Sequence, residues 1–272
     1  MDTYVTATET FETEYAEQGA GHAVVLLHGW GASKRIWRAF WPHAVTRWRA
    51  IAPDLPGWGG SGKPDGAYTP AWYSRWLRTF LDARGVERAD LVAHSMGTMA
   101  AVLFASEQPE RVRRLVLSNP PVEGARAFSR RTYRLTSPLN RWVLHTMLGL
   151  RSVRRWATKD FTYATPWDDQ DVDGLLRSTY ASMVRTVDGM VAADVRPAMA
   201  AVRAPALVIG TTMDAVVRPE QASIASRTLP HARLAVIEDS GHCPMLEQPE
   251  EFARLVTGFL AEDQAPKRPR QW

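Results

Sequence analysis

An α/β architecture with a mostly parallel central sheet is what this chain predicts, and three observations predict it. Short apolar runs without polar alternation, Val24-Val25-Leu26-Leu27 and Ala206-Leu207-Val208-Ile209-Gly210, read as strands buried on both faces. Helical periodicity appears between and after such runs: Pro70–Ala83 sets Trp72, Trp76, Leu77 and Phe80 on one face, and Phe252, Leu255, Val256 and Phe259 stripe a last helix. Residues able to do chemistry sit just past the carboxyl ends of the strands, where open α/β sheets place their sites. A chain of 272 residues with 45% hydrophobic content suffices for one such domain with an insertion.

Each element follows in turn. Thr3–Ala7 and Phe11–Tyr15 alternate loosely and read as an antiparallel hairpin at the sheet edge. Val24–Leu27 runs into His28-Gly29-Trp30-Gly31, where two glycines permit unusual backbone angles beside a ligand. Arg49–Pro53 reads as a strand, and Leu91-Val92-Ala93 is an apolar run that delivers Ser95 into a helix over Met96–Ser106. Leu115–Ser118 is a further strand. Ala206–Gly210 leads to Asp214, with a helix starting near Pro219 and Glu220, and the strand Leu234–Ile237 leads to Asp239 and His242. Asp263–Trp272 has no periodicity and reads as a tail.

Ala93-His94-Ser95-Met96-Gly97 carries the chemistry. A serine hydroxyl is a poor nucleophile at neutral pH and needs a base and an oxyanion site. Small residues two before and two after it, here Ala93 and Gly97, let a sharp strand-to-helix turn close. Taken alone, Ser95 reads equally as a helix cap, and Asp214 as a turn or cap residue. Asp239 stands too near His242 in sequence to orient it, and Asn119 has an amide where an anion is needed. His28 and His94 flank the turn as structural histidines, His231 precedes a strand, and Cys243 reads as a packing residue.

His28–Gly31, Asp54–Gly62 (D-L-P-G-W-G-G-S-G), Ala93–Gly97, Gly210–Asp214 and Asp239–His242, in that order, resemble the α/β-hydrolase superfamily from Val24 to Leu260. The resemblance implies helices on both sheet faces, a helical cap, Ser95 as nucleophile, His242 as base and Asp214 as its orienting acid. It also implies an oxyanion hole from the amides of Trp30 and Met96. Ala93 departs from the commoner glycine, a pattern that some lipases of the superfamily share. Epoxide hydrolases and haloalkane dehalogenases are similar around Asp54–Ser61, but they attack with an aspartate, and Ser95 argues against both.

About 85 residues without a strand signal separate Ser118 from Ala206, far more than an ordinary connection. The resemblance makes 121–196 a helical cap inserted in a core of 1–120 and 197–262, with 263–272 as tail. Helices are expected near Leu139–Leu150, Ser152–Ala157, Asp169–Val187 and Val187–Asp194. Candidate substrate contacts are His28, Gly29, Trp142, Trp156, Arg151, Arg154 and Arg155. Gly124–Lys159 holds eight arginines, one lysine and no acidic residue, which suits an anionic substrate or an acidic carrier protein. The same run also reads as a solvated face, because Arg outnumbers Lys throughout. Similar arginines face an acidic carrier in pimeloyl-carrier-protein methyl ester esterases.

The expected activity is therefore cofactor-free hydrolysis of a carboxylic ester, thioester or lactone with a largely apolar acyl group. Meta-cleavage-product hydrolases, which break carbon–carbon bonds of vinylogous diketo acids, resemble the chain too. The same residues would also suit a perhydrolase, or a ligand-binding protein built on the hydrolase scaffold. No metal set, phosphate loop, nucleic-acid motif or apolar run near the roughly 18 residues of a membrane span appears in the sequence. One cysteine excludes an internal disulfide, and the polar, acidic N-terminus lacks a signal-peptide pattern, so a cytoplasmic protein is expected. Exchanging Arg151, Arg154 and Arg155 for Ser is expected to raise KM for acidic esters and leave neutral ones unchanged; equal effects in steady-state kinetics would end the steering idea.

Overall fold

The computed structural model describes residues 1–8, 11–130, 132, 138–147, 150, 153, 159–163 and 173–262. Among these, eight strands form one sheet: β1 (Thr3–Thr8), β2 (Phe11–Gln18), β3 (Ala23–Leu27), β4 (Arg49–Pro53), β5 (Ala89–His94), β6 (Val112–Ser118), β7 (Ala206–Thr211) and β8 (Ala232–Ile237). Their order is β1-β2-β4-β3-β5-β6-β7-β8. The hairpin β1–β2 and the β2–β4 pair are antiparallel, and every pairing from β4 through β8 is parallel. The apolar runs of the sequence and its edge hairpin thus take the places their patterns predict.

Side-chain alternation sorts the central strands between two layers. Val25, Leu27, Leu91, Ala93, Leu115 and Leu117 face one way, onto α2 (Pro70–Ala83) and α3 (Met96–Glu107). Val24, Leu26, Val92, Val116, Leu207 and Ile209 face the other, onto α1 (Trp41–Val45) and the last helix, Pro249–Ala261. The predicted stripe Phe252, Val256 and Phe259 is buried there, together with Cys243. With apolar burial worth roughly 25 cal/mol per Å², a sheet covered on both faces is where the fold's driving force concentrates.

Between β6 and β7 lie α4 (Pro138–Met147), α5 (Asp173–Leu176), α6 (Tyr180–Ala192) and α7 (Arg196–Ala201). The sequence suggests one helix over Asp169–Val187 and a second from Val187, and the structure corrects both. The chain breaks after Leu176, and Thr179 starts α6 with a capping box: its hydroxyl accepts from the Ser182 amide at 3.1 Å while the Ser182 hydroxyl accepts from the Thr179 amide at 3.0 Å. Apolar periodicity cannot register that break, because it lies in the cap and not in the stripe. The helix expected over 152–157 falls, apart from Val153, outside the described residues.

Beyond β7 come α8 (Glu220–Thr228), α9 (Pro244–Glu247) and α10 (Pro249–Ala261), the last helix named above. No helix among the described residues is long and apolar enough to cross a membrane.

The Asp54–Gly62 motif is structural. Asp54, fully buried, accepts from the Lys34 amide at 2.6 Å, from the Gly60 amide at 2.8 Å and from the Lys34 ammonium at 3.0 Å. That ammonium also donates to Glu14 of β2, and Ser61 Oγ donates to the Asp54 carbonyl at 2.6 Å. The motif locks the loop after β4 to the loop after β3. Breaking one partner of a buried ion pair leaves uncompensated charge, so Lys34→Met is expected to cost about 3–5 kcal/mol, read by urea unfolding.

Candidate active site

Ser95 is the single residue between the end of β5 and the start of α3. It takes φ 49° and ψ −119°, a left-handed turn that costs a non-glycine residue on the order of 1–3 kcal/mol. Backbone bonds fix it: its amide donates to the Ser118 carbonyl at 2.9 Å, and its carbonyl accepts from the Thr98 amide at 2.9 Å. Glycine makes the approach possible. A Cβ on Gly97 would lie 2.7 Å from the carbonyl oxygens of Leu27 and His28, and one on Gly29 would lie 3.0 Å from Ser95 Cβ. The turn after β3 is therefore pressed directly against the serine.

His242, on the loop after β8, reaches back to this turn. Its Nε2 stands 2.9 Å from Ser95 Oγ, and its Nδ1 stands 2.8 Å from Asp214 Oδ2. A carboxylate only accepts, so Nδ1–H donates to Asp214 and leaves the Nε2 lone pair for the serine hydroxyl. All three side chains are buried. Asp214 accepts four hydrogen bonds: Oδ1 takes the amides of Val216 (2.8 Å) and Val217 (2.9 Å), while Oδ2 takes His242 and the Asn119 amide (2.9 Å). One oxygen of Asp214 thus closes the turn and the other meets His242. Asp239 is exposed and takes neither part.

This geometry agrees with the family comparison, in which a model of the alpha/beta hydrolase family matches residues 24–255. The chain belongs to the α/β-hydrolase family. This α/β hydrolase is 32% identical over 279 residues to a 2-hydroxymuconate semialdehyde hydrolase of Pseudomonas putida, covering 94% of this chain and 92% of that protein. It is 27% identical over 249 residues to a pimeloyl-acyl-carrier-protein methyl ester esterase of Neisseria meningitidis, covering 87% and 93%. The enol-lactonase from Burkholderia xenovorans LB400 shares its fold with a TM-score of 0.82 at 23% identity, over 95% of this chain and 100% of that one.

Three partners of the α/β hydrolase's site escape a reading by motif. Asn119, also at positive φ, accepts from Ser118 Oγ through Oδ1 and donates through Nδ2 to Thr211 and Asp214, so the amide that cannot be an anion instead holds one. His94 donates from Nε2 to the His242 carbonyl at 2.8 Å, and its ring lies 4.7 Å from that of His242. Burial, then the neighbouring His242, hold His94 well below the ordinary histidine range, so its own ring carries no charge at neutral pH. The Phe161 ring lies 5.9 Å from that of His242, centroid to centroid and steeply inclined to it, and stacks on Trp30 at 6.4 Å. Position along a strand end hints at Asn119 and His94; nothing local marks Phe161.

Of the candidate substrate contacts, Gly29 lies against the serine. His28 is corrected: it is fully buried, with Nδ1–H donating to the Gly29 carbonyl at 2.8 Å and Nε2 accepting from the Leu55 amide at 2.9 Å. Both ring nitrogens are used by the backbone, so it joins two loops and offers a ligand nothing. Trp142 is 56% exposed on α4, standing in solvent and not in a closed pocket. Trp156, Arg151, Arg154 and Arg155 lie outside the described residues. Among the described residues no group of three or more acidic, histidine or cysteine side chains could hold a metal ion.

Burial, opposed by Asp54, pushes His28 down to about 4 from the ordinary 6.5. The unfolded chain therefore takes up this proton first as pH falls. The stability it contributes is complete above pH 6.5 and is lost toward pH 4, about 3 kcal/mol in all. His28→Gln is expected to flatten the fall in urea-unfolding free energy across that window; an unchanged slope would assign the acid sensitivity elsewhere.

Proposed function

We propose that this α/β hydrolase cleaves a carboxylic ester, with Ser95 as nucleophile. The observation that carries the proposal is the continuous chain Ser95 Oγ–His242–Asp214, at 2.9 and 2.8 Å, ending on a carboxylate with four donors. In this reading His242 Nε2 takes the hydroxyl proton as Ser95 Oγ attacks the acyl carbon, and Asp214 holds the tautomer and stabilises the imidazolium. His242 then returns the proton to the leaving alcohol. A water, deprotonated by the same nitrogen, next releases the acid from the acyl-enzyme.

The amide of Met96, first residue of α3, has no acceptor within its own helix and is free to serve the tetrahedral oxyanion with the amide of Trp30. Each such donor is worth about 3 kcal/mol in comparable sites. Trp30, Phe161 and Trp58, whose rings are in contact, would give the acyl group an apolar wall. An anionic substrate group, or an acidic carrier delivering it, would be met by the run of arginines that the sequence places between 126 and 155.

A second reading, hydrolysis of a carbon–carbon bond in a vinylogous diketo acid, is favoured by the 32% identity to a 2-hydroxymuconate semialdehyde hydrolase. The same nucleophile, base and oxyanion donors would serve it. A p-nitrophenyl ester series run beside a vinylogous diketo acid separates the two by which is turned over at the higher kcat/KM. Ser95→Ala is expected to stay folded, to lose fluorophosphonate labelling in intact mass spectra and to lose activity by about a thousandfold or more. Labelling of Ser95→Ala like the wild type, or none in the folded wild type, would remove the serine from the mechanism.

A further inference from the structure

The carboxylate of Glu247, in the short helix α9, joins two pieces of chain that are far apart in sequence. Its Oε1 accepts from the Gly241 amide at 3.0 Å, one residue before His242, and its Oε2 accepts from the Tyr163 amide at 2.6 Å. The strand of chain over 159–163 is seated directly on that loop, because a Cβ on Gly241 would lie 2.7 Å from Tyr163 N and 3.0 Å from Thr162 C. Two residues before Tyr163 stands Phe161, its ring centroid 5.9 Å from that of His242 and stacked on Trp30 at 6.4 Å. Glu247 itself is rigidly based: Pro244 and Met245 of the same helix are buried, the latter in the core layer beneath the last helix.

We infer that Glu247 is a positioning residue that sets Phe161 as the wall of the acyl site by holding the base loop and the 159–163 segment with one carboxylate. The inference rests on the serine-hydrolase reading for its consequence, but not for its geometry. The choice of side chain follows from chemistry: two backbone N–H donors that converge from different segments need two acceptor oxygens on one rigid group. Glutamate provides them, whereas the isosteric glutamine presents one oxygen and one NH2, so it must surrender a donor. A capped segment held this way keeps Phe161 at fixed distance from His242 without any bond to the aromatic ring, and acyl chains long enough to pass Ser95 meet that ring.

The test uses the full chain with Glu247→Gln, Phe161→Ala and the double variant. Hydrogen–deuterium exchange at the Tyr163 and Gly241 amides, which requires no turnover, is expected to speed up about tenfold at one or both in Glu247→Gln. In a p-nitrophenyl ester series, KM for longer acyl chains, taken relative to KM for acetate, is expected to rise about tenfold in Glu247→Gln and in Phe161→Ala. The double variant should add less than about twofold to either single one, because both act through the same ring. Unchanged exchange in Glu247→Gln would overturn the positioning role. So would faster exchange with KM unaltered, or effects that multiply in the double variant. A folded wild type that shows neither labelling nor turnover fails the hydrolase reading instead, and the exchange result still decides the role of Glu247.

Discussion

Ser95 holds φ 49° because the volume around it has been removed and its two backbone polar groups have been spoken for. Ala93 and Gly97 clear the turn itself, and Gly29 lets a neighbouring loop close to within van der Waals distance of the serine Cβ. The amide bond to Ser118 ties the turn to the next strand of the sheet. A strained residue persists only where its surroundings over-determine it, and here β3, β5 and β6 all contribute. The position of the hydroxyl is in this sense a property of the sheet, whose parallel register brings three strand ends level.

Asp214 shows the same economy at the far end of the hydrogen-bonded chain. One oxygen closes the loop after β7 by accepting two successive amides, and the other faces His242 and Asn119. Loop geometry and imidazole orientation are thereby the same fact. His94 does the corresponding work for His242, whose backbone carbonyl it holds while its own ring remains uncharged.

Much of this was legible in the sequence, and the rest was hidden for identifiable reasons. Strands such as Ala206–Thr211 announce themselves because burial on both faces demands an unbroken apolar run, and α2 because its stripe is regular. Ser95, Asp214 and His242 each follow such a run, which is what makes them candidates in the sequence, and the structure brings their side chains within hydrogen-bond distance. At His28 the sequence is ambiguous, since a histidine beside glycines looks the same whether its ring points out or in; only the Gly29 and Leu55 partners decide it. The break before Tyr180 turns on a reciprocal side-chain cap, and Phe161 meets His242 across about 80 residues of chain, a contact no local pattern encodes.

The two-layer burial of the central strands carries a consequence for how such a chain can diverge. Successive residues of β3, β5 and β6 point into opposite cores, so these strands offer no permissive face on which neutral substitutions can accumulate. Mutational freedom is pushed outward to the connections beyond the strand ends, which also carry Ser95, Asp214 and His242. A scaffold organised in this way can acquire new specificities while its core stays nearly constant, because evolvability and stability have been assigned to different segments of the chain.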